Sequence, residues 1–365
     1  MSQSFGKNLK ITIFGSSHQE YMGVVMDNME IGFEIDMEKL NNFMQRRASG
    51  KSKFTTKRKE SDKINFISGV RDNKIISKTI TAIIKNENYK SKDYENLNDI
   101  PRPSHADYTS FIKYGNEMDM NGGGPFSGRL TAPFCLAGGI AKQILEEKDI
   151  KISSRIKNIG GIEDKNIDLA NPPMDELEKI SQKEIPVLDE KKEKEIRNLL
   201  EEVKKDGDSI GGICQVFGEN IPKGLGDPLF DSFEAKISYL SYGIPALRAV
   251  SFGLGLDAMK MKGSQHNDQF EIKNGQVKTI TNNAGGVVGG ITNGMPVVFD
   301  LIFKPTPSIS ICQKSFSIKE KKEKILQIKG RHDPCLALRT PPIGESILAL
   351  TLLDLLNEWK YWKNY

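Results

Sequence analysis

The tightest constraint on this chain is a glycine-rich loop that runs straight into an apolar helical pattern. In Asn121-Gly122-Gly123-Gly124-Pro125-Phe126-Ser127-Gly128-Arg129-Leu130 three consecutive positions carry no side chain, so backbone N–H groups can approach a bound group closely. Ser127 and Arg129 add a hydroxyl and a fixed charge. Thr131 reads as an N-cap and Pro133 suits a first turn, while Leu136, Ile140, Ile144 and Leu145 recur at helical spacing. A helix start behind such a loop favours phosphate or carboxylate. A structural turn before a buried helix explains this segment equally well, so other motifs must decide.

Upstream lies Arg102-Pro103-Ser104-His105-Ala106-Asp107-Tyr108. The chain has four histidines, and His18, His105 and His332 each stand beside Ser, Gly, Arg or Asp. One such histidine is ordinary; three in this company point to proton chemistry near neutral pH. Leu9, Ile11 and Ile13 alternate as a strand that delivers His18 to a loop. Between Arg46 and Lys59 seven of fourteen residues are basic, either a solvated loop or a rim over a multiply anionic ligand. Gly50-Lys51-Ser52 imitates the end of a P-loop, but Gln45 stands where that motif needs glycine.

Elsewhere the pattern alternates strands and helices. Asp36 caps a helix with Met37, Leu40, Phe43 and Met44 on one face, and Ile64–Val70 and Ile75–Ile84 form a hairpin around Arg71-Asp72-Asn73-Lys74. Ile150–Ile156 reads as a strand, residues 163–188 as irregular, and Asp189–Lys205 as a charged helix ended by Gly207. A strand at Ile213–Phe217 and a helix at Asp231–Leu240 follow. Asn282 to Gly290 is glycine-dense without the Rossmann spacing. The strand Val297–Phe303 opens onto Lys304-Pro305-Thr306-Pro307-Ser308, and Gly330-Arg331-His332-Asp333-Pro334-Cys335 precedes an apolar helix from about Ile343 to Leu356. The class is α/β.

Several functions are disfavoured. With 52 basic and 48 acidic residues the net charge of +4 does not call for nucleic acid. Cys135, Cys214, Cys312 and Cys335 show no close pairing, and the N-terminus does not resemble a signal peptide, so reduced thiols and a cytoplasmic location are expected. No run of 18 apolar residues suggests a membrane span. His332 and Cys335 lack a second pair of ligands, so no metal is expected, and no G-x-S-x-G elbow marks a hydrolase.

Taken together, Phe14-Gly15-Ser16-Ser17-His18-Gln19, Arg102 to Asp107, Gly122 to Arg129, Gly207 to Gly211, Ala284-Gly285-Gly286 with Lys304-Pro305-Thr306, and Gly330 to Cys335 resemble, in order, the motifs of the chorismate synthase family. The resemblance covers nearly the whole chain. It implies one catalytic domain over residues 1–365 with an α/β (α+β) fold, a β-α-β sandwich of antiparallel sheets with internal helices. It also implies a homotetramer, and an FMN-dependent anti-1,4 elimination of phosphate from 5-enolpyruvylshikimate 3-phosphate giving chorismate.

By the same resemblance His18 is a general acid, His105 stands beside the flavin's pyrimidine edge, and Asp333 assists proton removal. Ser17, Arg47, Arg102, Ser127, Arg129 and Arg331 are the implied substrate ligands. Arg47, Lys53, Phe126, Ser127, Ala246, Gly289, Lys304, Pro305, Thr306, Pro307, Ser308 and Arg331 are the implied contacts of reduced FMN. Pro125, Leu130 and Pro245 depart from the family pattern, and the Leu130 change removes a glutamate that could partner Arg129. Whether NADPH or a separate flavin reductase supplies the electrons stays open.

Overall fold

The computed structural model describes residues 3–50, 54, 61–86, 99–115, 117, 121–328 and 333–362, apart from the side chains of residues 121, 122 and 359–362. The chain builds one sheet early with β1 (Ser4–Phe5), β2 (Lys10–Gly15) and β3 (Tyr21–Asp27), then leaves it for α1 (Met37–Arg47). It returns with β4 (Ile64–Ser68), the small hairpin β5 (Val70–Arg71) and β6 (Lys74–Ile75), and β7 (Ile80–Lys85). This sheet is antiparallel, in the order β1-β2-β3-β7-β4. Asp36 caps α1 as expected, its carboxylate accepting from Lys39 N–H.

Helix α2 (Asp107–Tyr114) and two 3-10 turns, Asn121–Phe126 and Gly128–Leu130, lead into α3 (Thr131–Glu146). The second sheet gathers β8 (Lys151–Ile159) and β9 (Ile162–Glu163), then, after α4 (Met174–Ile180) and α5 (Glu190–Lys205), β10 (Gly212–Glu219). Past α6 (Phe233–Ser241) come β11 (Leu247–Phe252), α7 (Gly263–His266), the hairpins β12–β13 (Phe270–Lys273, Gln276–Thr279) and β14–β15 (Val287–Val288, Ile291–Thr292), and β16 (Val297–Phe303). The hairpin β17–β18 (Gln313–Ser317, Lys322–Leu326) precedes α8 (Pro341–Trp362). The order β11-β16-β10-β8-β9 is again antiparallel.

Helices α3 and α8 fill the space between the sheets: α3 packs on β2, β3 and β7, α8 on β8 and β10, and the two helices on each other. Every residue of α3 from Thr131 to Leu145 is buried. Gly138 and Gly139 permit this, because a Cβ on Gly138 would lie 2.1 Å from the Ser346 side chain and one on Gly139 2.6 Å from Leu40. Each mid-helix glycine costs about 1 kcal/mol relative to alanine, a loss offset by the close approach of α1 and α8. The internal helices and antiparallel sheets match the sandwich inferred from sequence.

Two local expectations change. Thr131 does not cap α3: it is the first helical residue, and its hydroxyl donates to Gly128 O at 2.6 Å. The 3-10 turn runs directly into the helix, and Ser127 caps that turn instead by accepting from Arg129 N–H. Residues 163–188 contain the short helix α4, whose Met174, Leu177 and Ile180 are buried within an otherwise polar stretch.

One buried carboxylate ties the layers together. Glu345 on α8 is fully buried and accepts from Arg46 of α1 (3.0 and 2.5 Å), Lys142 of α3 (2.8 Å) and Ser154 of β8 (2.7 Å). Burial alone would raise its pKa, but the two cations outweigh it and hold it at about 2. E345A therefore leaves two enclosed cations without their counter-charge, and urea denaturation should show a loss of about 3–5 kcal/mol. A loss under about 1 kcal/mol would mean that Arg46 and Lys142 find another partner. Because the folded value lies below the unfolded 4.5, this contribution is complete above about pH 5 and drains as pH falls toward 2. The stability of E345A should accordingly fall less steeply with acid than that of the parent.

Candidate active site

Strand β2 ends at Gly15, whose φ of +98° and contact with Met22 Cα, 2.6 Å from where a Cβ would sit, admit only glycine. The turn that follows buries Ser16, Ser17 and His18, with Ser17 Oγ 3.0 Å from His18 Nδ1. At the exit of β7, Asn86 Nδ2 donates to the carbonyls of Ser16 (3.2 Å) and Gln19 (2.7 Å), and Asn86 Oδ1 accepts from Arg129 Nε (3.1 Å). Arg129 Nη1 also pairs with Asp62 Oδ1. The other Asp62 oxygen accepts from Arg47 Nη2 at 2.5 Å. Arg339 then links the arginine pair to Asp333: its Nε donates to Arg47 O (2.9 Å) and its Nη1 to Asp333 Oδ2 (2.8 Å). One hydrogen-bonded chain thus runs from the His18 turn to Asp333.

Asp62 is the hinge of this chain. Its side chain is fully enclosed; burial favours the neutral acid, yet Arg47 and Arg129 on either side hold its pKa below the ordinary carboxylate range. Arg47 is likewise fully enclosed, with Asp62 between it and Arg129.

A second cluster centres on Arg102. Its Nε and Nη2 clamp Asp107 (2.7 and 2.8 Å), and its Nη1 donates to Ser308 Oγ (3.1 Å). Burial would raise the Asp107 pKa, but hydrogen bonds from Arg102 and His105 drive it well below the usual range. His105 Nδ1 lies 2.6 Å from Asp107 Oδ1 and 3.0 Å from Arg102 Nη2. A carboxylate can only accept, so Nδ1 carries the hydrogen and Arg102 is a neighbour of the ring rather than its donor. Lys304 Nζ donates to Ser104 O, and Lys304 N–H donates to Ala246 O at 3.1 Å. Burial, with help from Arg248, lowers the Lys304 pKa.

The glycine loop joins the clusters. A Cβ on Gly123, at φ +94°, would sit 3.3 Å from Cε1 and Nε2 of His105 and 3.7 Å from Ser127 Cβ, and Ser127 accepts from Arg129 N–H. Phe126 on the same loop is exposed, and in the Lys304–Ser308 segment, which Ser308 ties to Arg102, Thr306 has a buried Oγ1 with no hydrogen-bond partner among the described residues. A bare glycine beside an imidazole, with a lysine and an orphan hydroxyl on the segment tied to the same histidine cluster, suits a flat, anionic group. Gly289 lies in the turn of β14–β15, and its neighbour Gly290 packs on Asp227 and Ser232. Lys53, Arg331 and His332 lie outside the described residues. No group of His, Cys, Asp and Glu that could hold a metal occurs among the described residues.

Asp62, Asn86 and Arg339 escape a motif reading. Asp62 follows a run of charge and Asn86 precedes a polar stretch, so neither carries a local signal. Asp62 also supplies the partner for Arg129 that Leu130 cannot.

Comparison with known proteins identifies the family. A family model described as chorismate synthase matches residues 9–356. The chorismate synthase of Dehalococcoides mccartyi strain BAV1 is 38% identical, covering 97% of this chain and 96% of the relative. That of Christiangramia forsetii is 42% identical, covering 96% of each. A crystal structure of chorismate synthase superimposes with a TM-score of 0.78 at 27% identity, over 97% of this chain and 93% of the other. The chain therefore belongs to the chorismate synthase family.

Proposed function

We propose that this chain, a carbon–oxygen lyase by family, eliminates phosphate from 5-enolpyruvylshikimate 3-phosphate to give chorismate, with reduced FMN as cofactor and the 121–130 loop as the centre of the site. The observation that carries the reading is the chain of hydrogen bonds from the His18 turn through Asn86, Arg129, Asp62, Arg47 and Arg339 to Asp333. It supports an acid and a base held at separate points around an array of guanidinium groups.

The substrate carries two carboxylates and a phosphate, so fixed cations must both bind it and steady the departing phosphate. Arg129 and Arg331 take that role directly. Arg47 and Arg102 are assigned to the same anions from their enclosed positions, and Ser17 and Ser127 add hydrogen bonds. His18, turned by Ser17 and the Ser16–Gln19 loop, donates a proton to the leaving phosphate oxygen. Asp333, fixed by Arg339, assists removal of the proton that the substrate's ring loses.

Reduced FMN, when bound, supplies electron density transiently and recovers it, so no net redox change results. His105 and Lys304, with Ser127, Thr306 and Ser308 as hydrogen-bond groups and Phe126, Ala246, Pro305 and Pro307 as apolar contacts, are the residues that would hold it; Arg47, Lys53, Gly289 and Arg331 complete the assignment. With Nδ1–H given to Asp107, His105 presents Nε2 toward Gly123. Anaerobic turnover with NADPH as the sole reductant separates self-reduction from dependence on a flavin reductase.

Residues 1–365 are read as one catalytic domain and the location as cytoplasmic, a reading supported by four free cysteines. No helix among the described residues is long and apolar enough to cross a membrane. A homotetramer is supported by the exposed apolar side chains Leu229, Phe230, Tyr239 and Tyr242, with Phe230 at 91% exposure.

Purified protein with chemically reduced FMN should release inorganic phosphate and a conjugated diene in equal amounts under anaerobic conditions. Bound flavin without phosphate release would defeat the proposal, and phosphate without a diene would indicate hydrolysis. Sedimentation equilibrium should give four times the chain mass, and F230D should lower it; a monomer at micromolar concentration would remove the tetramer from the account.

A further inference from the structure

Asn86 is 5% exposed and uses its whole amide. Its backbone N–H donates to Glu20 O at 2.9 Å. The side-chain nitrogen spans the carbonyls of Ser16 and Gln19, the residues that flank Ser17 and His18, and the side-chain oxygen accepts from Arg129. The orientation follows from the partners: two carbonyls demand an amine, and a guanidinium demands an oxygen. Aspartate would turn an oxygen toward two carbonyl oxygens while keeping its bond to Arg129. Serine offers one donor where two are used.

We propose that Asn86 is a positioning residue for the elimination, setting the His18 imidazole at a fixed distance from the Arg129 guanidinium. The inference rests on the role of His18 given above. Arg129 is anchored at its other end by Asp62, and the His18 ring is tied to its own turn through Ser17. Loss of the amide therefore lets the acid move against a cation that stays in place. A displacement of about 1 Å in such a pair costs on the order of 100-fold in rate, while binding of the anionic substrate, carried by the arginines, changes little.

The test uses full-length Asn86→Ser and Asn86→Asp with reduced FMN. Expected is a fall in kcat of about 10- to 100-fold with KM within about 3-fold of the parent. In a His18→Ala background the same substitutions should cost under about 3-fold more, because the group they position is gone. A second readout needs no turnover. With four histidines in the chain, the imidazole Cε1–H resonances can be followed individually, and that of His18 should shift in Asn86→Ser while that of His266 stays. A raised KM at parental kcat, losses that multiply with His18→Ala, or an unmoved His18 resonance would each overturn the proposal. If the parent itself fails to turn over substrate, the functional reading falls, and the His18 resonance still decides whether Asn86 positions the ring.

Discussion

The site depends on one enclosed carboxylate that two guanidinium groups share. Asp62 gives one oxygen to Arg47 and the other to Arg129, and from that pair the connections spread to His18 on one side and Asp333 on the other. Two cations packed together with no anion between them would repel strongly in so dry a setting. With Asp62 between them, they stand at fixed positions before any ligand arrives. Binding a triply charged ring then needs little rearrangement, which is the condition under which electrostatic stabilisation is most effective. Asp62 itself sits at φ +44°, an uncommon conformation for a residue other than glycine, and the two arginines supply the interactions that hold it there.

The core repeats the device, again with one carboxylate between two cations. Glu345 gathers Arg46, Lys142 and Ser154, binding α1, α3, α8 and the second sheet at one point. Arg46 and Arg47 are consecutive, so the last turn of α1 feeds one cation into the core network and the next into the site. The depth at which Arg129 sits is in this sense set by how α1 packs on α3, and α1 can pack that closely because Gly139 leaves room for Leu40 and Phe43.

How much of this the sequence discloses depends on the range of the interaction. Strands such as β2, by alternation, and β16, by a short apolar run, and helices such as α5, by periodicity and its cap at Asp189, are written in signals that act within a few residues. The short helix α4 is hidden because its three buried side chains are diluted by charge. The strand β3, with Gly23 amid an apolar run, carries no clean alternation. In the site, residues within motifs can be singled out: His18, His105, Arg129 and Asp333. Asn86 and Asp62 cannot, because their meaning lies in contacts with Arg129 across 43 and 67 positions. The cap of α3 illustrates the local version of the limit: Thr131 has the right chemistry, but the preceding 3-10 turn has already moved the helix start past it.

The central claim is that a single carboxylate holds both halves of the site in register. Steady-state turnover by Asp62→Asn, with reduced FMN and a fold confirmed by circular dichroism, addresses it most directly. The account predicts a drop in kcat/KM of at least about 100-fold, because Arg47 and Arg129 lose the charge that separates and orients them. Turnover by Asp62→Asn equal to that of the parent would contradict it.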